Sequence, residues 1–348
     1  MFVSKSSLET EQQHLEGFAP EVAWITKAGS SELAESIAIR PTSETIMYPT
    51  FSKWIRSHRD LPLKLNQWSN VVRWEFKDPT PFVRTREFLW QEGHTAHASE
   101  AEAKEFSLKM LDHYASIYED LLAIPVIKGT KSKNETFAGA EQTHTLELFI
   151  DANGKAMQGA TSHDLGQRFS KIFNIWYENQ SKDKENVWQT CWGFTTRSIG
   201  AMVMIHGDDK GLVLPPNVAE YQVVIVPIFK QDAAQKEQIN TKIEELKYLL
   251  DKKGVRYHVD NRDTYSPGWK FNHWEVKGVP LRIEIGPFDL EKNIASVYSR
   301  FNGEKKTVDW DKLGSFVPKQ LKVIHNQMIR NARKMNKRIK IVDSWRKF

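Results

Sequence analysis

Residues 72–94 combine arginines, a carboxylate and aromatic rings at a spacing that could bind a nucleotide. The segment predicts a strand, a loop containing two prolines, and a second strand. Side chains two residues apart on a strand point the same way, so Arg73 and Glu75 would share one face. An antiparallel hairpin would bring Phe88 and Trp90 to that face. Arginine forks suit phosphate oxygens and flat rings suit stacking on a base, although a ladder of surface ion pairs is the alternative.

Three other segments carry polar residues that could join such a site. Residues 192–206 predict a strand that leads into a helix, with Thr195 and Arg197 on one face. The glycines of this segment allow a close backbone approach, which either ligand contact or helix–sheet packing would use. The runs at 40–44 and 157–163 are weak signals alone, and the histidine that ends the second run is by itself better explained as structural.

The elements that position these residues can be predicted from periodicity. Residues 99–102 form a capping box that begins a long helix. Its apolar residues recur at steps of three and four, which is typical of a face turned to a core. They are Ala103, Phe106, Met110, Tyr114, Ile117 and Leu121. Paired prolines then mark a domain boundary at 212–217.

Beyond this boundary the pattern changes to strand, helix and strand. A continuous apolar strand is predicted at 223–228, a helix capped by Asp232, and a second strand at 255–259. The helix carries apolar residues at Ile239, Ile243, Leu246 and Leu250. A half-buried strand follows, with apolar residues at Val279, Leu281, Ile283 and Ile285. Asn302-Gly303 is a hairpin signal, and the basic residues at 330–340 predict either a solvated helix face or an RNA contact.

The composition fits a folded intracellular protein. Of 348 residues, 40% are hydrophobic and 11% aromatic, which excludes wholesale disorder. The 49 basic and 44 acidic residues give a formal charge of +5, compatible with a nucleic-acid partner but not specific for one. The single cysteine, Cys191, excludes an internal disulfide and any zinc site that needs two or more thiolates. We expect a cytoplasmic protein with neither signal peptide nor membrane segment.

Taken together, these segments resemble the class II aminoacyl-tRNA synthetases, and residue by residue the prolyl-tRNA synthetases of the eukaryotic and archaeal type. The hairpin resembles motif 2 of the class, and the glycine-rich strand and helix ending in arginine resemble motif 3. The matching segments keep the family's order along the chain, at 17–24, 40–44, 72–76, 84–94, 159–163, 192–197 and 266–274. Fewer than 100 residues separate His94 from Cys191, which leaves no room for the long editing insertion of the bacterial branch.

The resemblance implies an α/β fold in two parts. Residues 1–217 would form an α+β catalytic domain on an antiparallel class II sheet, 218–325 a mixed-sheet α/β anticodon-binding domain, and 326–348 a basic tail. The implied function is ATP-dependent activation of L-proline to prolyl-adenylate and its transfer to tRNA(Pro) in translation. The proline carboxylate attacks the α-phosphate, so catalysis would depend on positioning and charge stabilisation rather than on a protein nucleophile.

Residue roles follow from the same resemblance. Arg73 and Arg197 are the catalytic candidates, Arg73 by bridging the proline carboxylate and the α-phosphate. The residues expected at ATP are Arg73, Glu75, Arg84, Thr85, Phe88, Gln158, Thr161, Thr195 and Arg197. Those expected at proline are Thr42, Glu44, Arg73, Trp90, Glu92, His94, Phe137 and His163. Mg²⁺ is expected on the phosphates with Gln158 as candidate ligand, and Arg262 and Lys270 are expected to contact tRNA, whereas Trp269 and Trp274 could equally be core.

The matched part of the family lies after its motif 1, which builds the dimer interface, and before its C-terminal domain, which binds zinc in many members. We therefore expect a chain shortened at both ends, a homodimer in the full-length form, and no zinc in this chain. Two other functions stay open: a non-catalytic or regulatory RNA-binding relative, and activation of a different amino acid. The retained arginines Arg73, Arg84 and Arg197 argue against the first, and a small aromatic-walled pocket argues against the second.

Overall fold

The computed structural model describes residues 1–14, 21–74, 77–229, 232–340 and 342–347. The sequence predictions that lie outside these ranges are the role of Glu75 at ATP and the parts of two matching segments at 17–20 and 75–76. The described chain divides into two compact units of mixed helix and sheet, which confirms the α/β class. The first unit comprises 1–116, 126–148 and 156–201, and the second comprises 117–125, 149–155 and 202–348.

The elements up to residue 206, most of which belong to the first unit, include a six-stranded sheet. In chain order they are β1 Phe2–Ser4, α1 Lys5–His14, β2 Trp24–Ala28, β3 Ser31–Ile39, α2 Glu44–Trp54, β4 Leu63–Val72, β5 Glu87–His97, α3 Glu100–Ser116, β6 Ile127–Thr130, β7 Gln142–Ile150, β8 Lys155–Gly166, α4 Arg168–Ile172, β9 Trp176–Glu178, β10 Lys184–Asn186, β11 Trp188–Thr195 and α5 Arg197–His206. The strand order of the large sheet is β4-β5-β11-β8-β7-β6. Non-consecutive strands therefore lie side by side at its centre.

The register of β4, β5 and β11 places the predicted site residues on adjacent strands. The predicted hairpin is confirmed: β4 pairs antiparallel with β5, and Val71 lies opposite Phe88. On the other side of β5, Trp90 lies opposite Thr195 and Glu92 opposite Gly193. Arg73 follows the end of β4, where its N–H donates to the carbonyl of Arg86 at 2.8 Å and extends the pairing.

The long helix predicted from the capping box is α3. The N–H of Glu102 donates to Ser99 Oγ at 3.3 Å, and Ala103 and Tyr114 are buried as predicted. Leu121 was predicted to continue the buried stripe and this was wrong, since it is exposed. The backbone changes to a π-helical turn at Ile117–Leu121, which rotates later residues away from the α-helical period.

The second unit packs helices against a five-stranded mixed sheet of order β13-β12-β14-β15-β16. Its elements are β12 Val223–Pro227, α6 Ala233–Asp251, β13 Tyr257–Val259, α7 Pro267–Val276, β14 Leu281–Ile285, α8 Pro287–Glu291, β15 Ile294–Ser299, β16 Lys305–Asp309 and α9 Leu313–Met335. Asp232 caps α6 by accepting from the N–H groups of Ala234 and Gln235, and all four predicted apolar residues of that helix are buried. Gly303, at φ 71°, turns the chain between β15 and β16, as the hairpin signal predicts.

One strand of this sheet differs from its prediction. β14 was predicted to be half-buried, but all five of its residues are buried. Its polar positions can be covered because Arg282 donates to Glu284 Oε1 from two guanidinium nitrogens, at 3.0 and 2.8 Å. Paired charges with satisfied hydrogen bonds tolerate burial that a lone charge would not.

The basic residues near the C-terminus lie largely on the exposed side of α9. Met328 and Ala332 of this helix are buried, whereas Arg330, Arg333 and Lys334 are exposed. A solvated helix face therefore describes this part of the basic run. Within the described ranges, no helix combines the length and hydropathy needed to cross a bilayer.

Candidate functional site

A cavity of about 250 Å³ opens in the first unit against strands β5, β8 and β11. Its wall includes most of the residues predicted for the nucleotide and amino-acid sites. They are Thr42, Glu44, Arg73, Arg84, Thr85, Phe88, Trp90, Glu92, Phe137, Gln158, Thr161, His163, Thr195 and Arg197. Of the described residues predicted for these two sites, only His94 lies outside the wall, because its ring is packed behind Glu92.

The basic and aromatic part of the wall is fixed by contacts between strands. The guanidinium of Arg73 lies 5.4 Å from the centroid of the Phe88 ring, and its Nε donates to the carbonyl of Pro41 at 3.2 Å. Phe88 in turn meets the edge of Trp90, with ring centroids 5.5 Å apart and planes at 87°. Arg197 donates from Nε to the carbonyl of Val83 at 2.9 Å. Cations and flat rings thus face one space, which suits a polyphosphate joined to a base.

The other part of the wall holds two buried carboxylates. Glu44 accepts a short hydrogen bond from the hydroxyl of Thr42, and Glu92 accepts one from the side-chain amide of Gln67. Behind Glu92, His94 Nε2 lies 3.4 Å from Glu92 Oε2, and the hydroxyl of Tyr48 lies 3.1 Å from His94 Nδ1. Two carboxylates beside one imidazole suit a cationic group of a small ligand.

Glu92 and His94 adjust each other's charge. Burial alone would raise the pKa of Glu92, but its hydrogen bond to His94 and the charge of that ring bring the net pKa below its usual value. Burial alone would lower the pKa of His94, whereas the hydrogen bond to Glu92 and the charges of Glu44 and Glu92 raise it. Each group therefore favours the charged form of the other.

His163 is held neutral in a single orientation. Thr143 Oγ1 accepts a hydrogen bond from the N–H of Phe137 at 3.0 Å and lies at hydrogen-bonding distance, 2.9 Å, from His163 Nδ1. Burial, with the charges of Lys131, His144 and Arg73, lowers the pKa of His163 to about 3.

We expect the ring of His163 to stay neutral from about pH 8 to about pH 5. Imidazole ¹⁵N chemical shifts of the metal-free protein, assigned with His163→Gln, measure this. Because its folded pKa lies below the unfolded value of about 6.5, the stabilisation is complete above that pH and is lost as the pH falls towards 3. The urea-unfolded chain is the control, and titration of folded His163 near pH 6.5 would contradict the assignment.

Several wall residues were not assigned to a binding site from the sequence, although the close approach of Gly193 was anticipated. They are Phe82, Val83, Lys131, Glu135, Thr143, Gly159, Ala160, Cys191, Trp192 and Gly193. The alternation of β11 could have found two of them, because Cys191 and Gly193 lie two and four residues before Thr195. Gly193 approaches Trp90 closely, since a Cβ there would lie 3.2 Å from the ring. Burial and the nearby Glu44 carboxylate raise the pKa of the Cys191 thiol.

Gln158, the predicted candidate ligand for Mg²⁺ on the ATP phosphates, has its amide oxygen engaged by a neighbouring lysine in this structure. Its amide oxygen accepts a hydrogen bond from the ammonium group of Lys131 at 2.5 Å. A lysine charge on the same oxygen disfavours a divalent cation, and Mg²⁺ prefers carboxylates and phosphate oxygens. We therefore treat Mg²⁺ as part of the ATP complex, and assign no step to a resident metal.

In the second unit, the two residues predicted to contact tRNA are both tied to Asp260. Arg262 forms a two-point ion pair with the Asp260 carboxylate, at 2.8 and 2.6 Å. Lys270 is only 3% exposed, and its ammonium donates to the carbonyl of Asp260 at 3.1 Å. This placement argues against Lys270 as an RNA contact, because its ammonium group is buried and hydrogen-bonded inside the unit. Trp274, which donates to Asp260 Oδ2 at 2.8 Å, is core.

The exposed surface beside this ion pair is aromatic. Tyr265 and Trp269 are each 41% exposed, and their rings stack with centroids 3.9 Å apart. His273 continues the stack, 4.9 Å from Trp269. The guanidinium of Arg262 lies about equally far from the two larger rings, at 5.1 and 5.2 Å. This aromatic stack offers flat faces on which unpaired bases could lie.

Two family models match the chain. The model described as "tRNA synthetase class II core domain (G, H, P, S and T)" matches residues 25–206. The model described as "Anticodon binding domain" matches residues 222–320.

Named relatives and a solved structure resemble nearly the whole chain. A cytoplasmic proline–tRNA ligase of Arabidopsis thaliana is 54% identical over 100% of this chain, which spans 66% of that relative. A putative proline–tRNA ligase of Saccharomyces cerevisiae is 51% identical, and the chain spans 52% of it. A proline–tRNA ligase of Encephalitozoon cuniculi is 50% identical, and the chain spans 71% of it. The crystal structure of prolyl-tRNA synthetase from Cryptosporidium parvum with halofuginone and AMPPNP superposes with a TM-score of 0.92 at 56% identity, covering 99% of this chain and 69% of that one.

Proposed function

Because the chain belongs to the prolyl-tRNA synthetases of class II, we propose that it activates L-proline with ATP and transfers the prolyl group to tRNA(Pro). The observation that carries this proposal is the composition of one cavity wall. Arg73, Arg84 and Arg197 face the same space as the rings of Phe88 and Trp90, while the buried carboxylates lie at the other part of the wall. The arginines and rings are complementary to a nucleoside triphosphate, and the carboxylates are complementary to a small secondary ammonium group.

The proposed reaction needs no protein nucleophile. A carboxylate oxygen of proline attacks the α-phosphorus of ATP, the bond to the β-phosphate oxygen breaks, and pyrophosphate leaves. Negative charge concentrates on the α-phosphate in the transition state, and a fixed arginine stabilises it. Arg73 is the proposed bridge between the two substrates, and Arg197 the proposed contact to the base or the terminal phosphates. Glu44 and Glu92 would orient proline through its ammonium group, which brings the reacting atoms together.

The remaining assignments are proposals of the same origin. We assign catalysis to residues 1–217, anticodon binding to 218–325 and a basic extension to 326–348. The partners would be tRNA(Pro), proline and the Mg²⁺ complex of ATP, with a homodimer as the quaternary structure and the cytoplasm as the location. A non-catalytic RNA-binding relative is less well supported, since such a protein has no need for arginines that converge on a cavity.

Proline-dependent exchange between ATP and pyrophosphate tests the first step directly. We expect exchange with proline and at least about tenfold less with alanine or cysteine, because a ring that fills an aromatic-walled pocket buries more apolar surface. Charging of tRNA(Pro) transcripts then tests the second step. A protein that binds tRNA without proline-dependent exchange would contradict catalysis and support the non-catalytic alternative.

The aromatic stack of the second unit provides a separate prediction for tRNA. Trp269→Ala should raise the KM for tRNA about 5- to 100-fold, since stacking of a base on an aromatic ring contributes about 1–3 kcal/mol. Exchange between ATP and pyrophosphate should stay within about twofold, because that step needs no tRNA. Tyr248→Ala, which removes an exposed tyrosine of the same unit, is the matched control. Unchanged charging by Trp269→Ala would refute the stacking role, and loss of both activities would indicate a role in folding.

A further inference from the structure

Three side chains with metal-binding atoms of different chemistry meet at the carboxylate part of the cavity, two of them in its wall and His94 directly behind it. The Glu44 carboxylate, the His94 imidazole and the Cys191 thiol place one ligand atom each so that all three lie within 4.8 Å of one another. Within the described ranges, this is the one group of three or more His, Cys, Asp or Glu residues with that arrangement. We propose that these three residues, the Glu-His-Cys group, bind Zn²⁺ at the position of the proline ammonium group, so that the ion and proline exclude each other.

The distances suit a zinc ion after a small adjustment. Zinc binds sulfur at about 2.3 Å and nitrogen or oxygen at about 2.0–2.2 Å, so its tetrahedral ligands stand about 3.5 Å apart. Closing the group from at most 4.8 Å to that spacing takes shifts of about an ångström. Rotation about the torsions of a glutamate side chain covers such a shift. With three protein ligands, a fourth position stays open towards the cavity.

The neighbours hold the side chains of the group in place. The hydroxyl of Tyr48 lies 3.1 Å from Nδ1 of His94 and orients the ring, so that Nε2 lies 3.4 Å from the Glu92 carboxylate. Thr42 donates to Oε2 of Glu44, and the Cys191 thiol hydrogen-bonds to the same carboxylate. Polar neighbours of this kind orient metal ligands and increase their affinity.

Charge and burial also favour a cation. The three ligands are 1–5% exposed, and Glu92 places a second carboxylate against His94. The same negative charge that suits a proline ammonium attracts a divalent ion more strongly, because the Coulomb energy is proportional to the charge of the bound cation. The thiol and imidazole make the site selective for zinc over Mg²⁺ and Ca²⁺, which prefer oxygen ligands.

Binding is a proton exchange without any redox step. The S–H bond of Cys191 breaks, a sulfur–zinc bond forms, and the thiol proton leaves to solvent, as does the imidazole proton where the ring carries one. The group uses a single thiolate, so it differs from the cysteine-rich sites that the composition excludes. The ion would act as an inhibitor that competes with the substrate, and it would have no part in catalysis.

Titration of the metal-free full-length chain with Zn²⁺ and Co²⁺ tests the site. We expect one equivalent of Zn²⁺ to bind, and Co²⁺ to produce the near-ultraviolet charge-transfer absorption of a thiolate ligand. Cys191→Ser should abolish that absorption and weaken Zn²⁺ binding at least about tenfold, and His94→Gln should weaken it by a similar factor. His113→Gln, which removes an exposed histidine, is the matched control and should bind as the wild type does.

Competition then links the site to the substrate. The site itself stands on geometry, whereas its competition with proline rests on the proposed function. Saturating proline should lower the apparent Zn²⁺ affinity of the wild-type protein more than about tenfold. This measurement needs no substitution. Absence of the thiolate absorption, or equal affinity in Cys191→Ser, would overturn the site. Zinc binding that proline leaves unchanged, in protein with intact exchange activity, would overturn its position. Zinc binding without any proline-dependent exchange would instead contradict the proposed function and leave the site supported.

Discussion

Replacing Arg73 with alanine is expected to lower the turnover of proline-dependent ATP–pyrophosphate exchange by about 10²–10³-fold. Arg73 is held from three directions: by backbone pairing to Arg86, by a hydrogen bond from its Nε to the carbonyl of Pro41, and by the ring of Phe88. A guanidinium fixed in this way needs little reorganisation when charge develops on the α-phosphate. The stabilisation therefore falls on the transition state, and kcat should fall more than the substrate KM values change.

Arg73→Lys distinguishes geometry from charge. A lysine keeps the charge but cannot contact two anions with a planar fork. We therefore expect the exchange rate of Arg73→Lys to exceed that of Arg73→Ala by less than about tenfold. Steady-state exchange rates at saturating ATP and proline measure both variants, and circular dichroism checks their folding. Exchange near the wild-type rate in Arg73→Ala would show that another cation stabilises the phosphate.

The register of the first sheet was accessible from the sequence because strand alternation is rigid. Once β4 and β5 pair, the two-residue period places both Trp90 and Glu92 on the face of the sheet that lines the cavity. The same period places Cys191 on that face of β11. The residues of the loop between β6 and β7, Lys131 and Glu135, have no periodicity that could place them. Their arrival at the wall depends on the packing of distant segments, which a single sequence does not encode locally.

The helical period of α7 places Lys270 on the buried face of that helix, which argues against the predicted contact with tRNA. Lys270 and Trp274 are four residues apart and share the buried face, where both contact Asp260. Trp269 and His273 share the exposed face by the same spacing, and Tyr265 lies one step earlier. A charged residue was expected at the surface by default, although a lysine can be buried when its ammonium finds a carbonyl.

A buried ion pair explains why β14 is fully buried although it was predicted to be half-buried. The alternation of β14 predicted an exposed face because Arg282 and Glu284 are charged, but each neutralises the other inside the unit. Their partners could not be read from the pattern, since the ion pair forms between residues on the same face of one strand and is completed by Lys305 from β16. Tertiary packing decided the burial of this strand, as it commonly overrides local preference.

Glu44→Gln is expected to raise the KM for proline about 10- to 100-fold, the loss that follows removal of a charge-assisted hydrogen bond. Glu44 begins α2, is 3% exposed, and is held by the hydroxyl of Thr42. Glutamine has nearly the same shape, so the substitution removes the charge while it keeps the packing. The KM for ATP should change less than about threefold, because the arginines of the basic wall bind the phosphates.

The split between the two KM values is what separates a substrate contact from a structural role. Exchange assays in zinc-free buffer, with proline and ATP varied in turn, measure it, and Glu105→Gln on the exposed side of α3 is the control for loss of a carboxylate. Equal damage to both KM values, together with a lower melting temperature, would show that Glu44 supports the fold. An unchanged KM for proline would assign the ammonium group to Glu92 instead, because Glu92 is the other buried carboxylate of the cavity wall among the described residues.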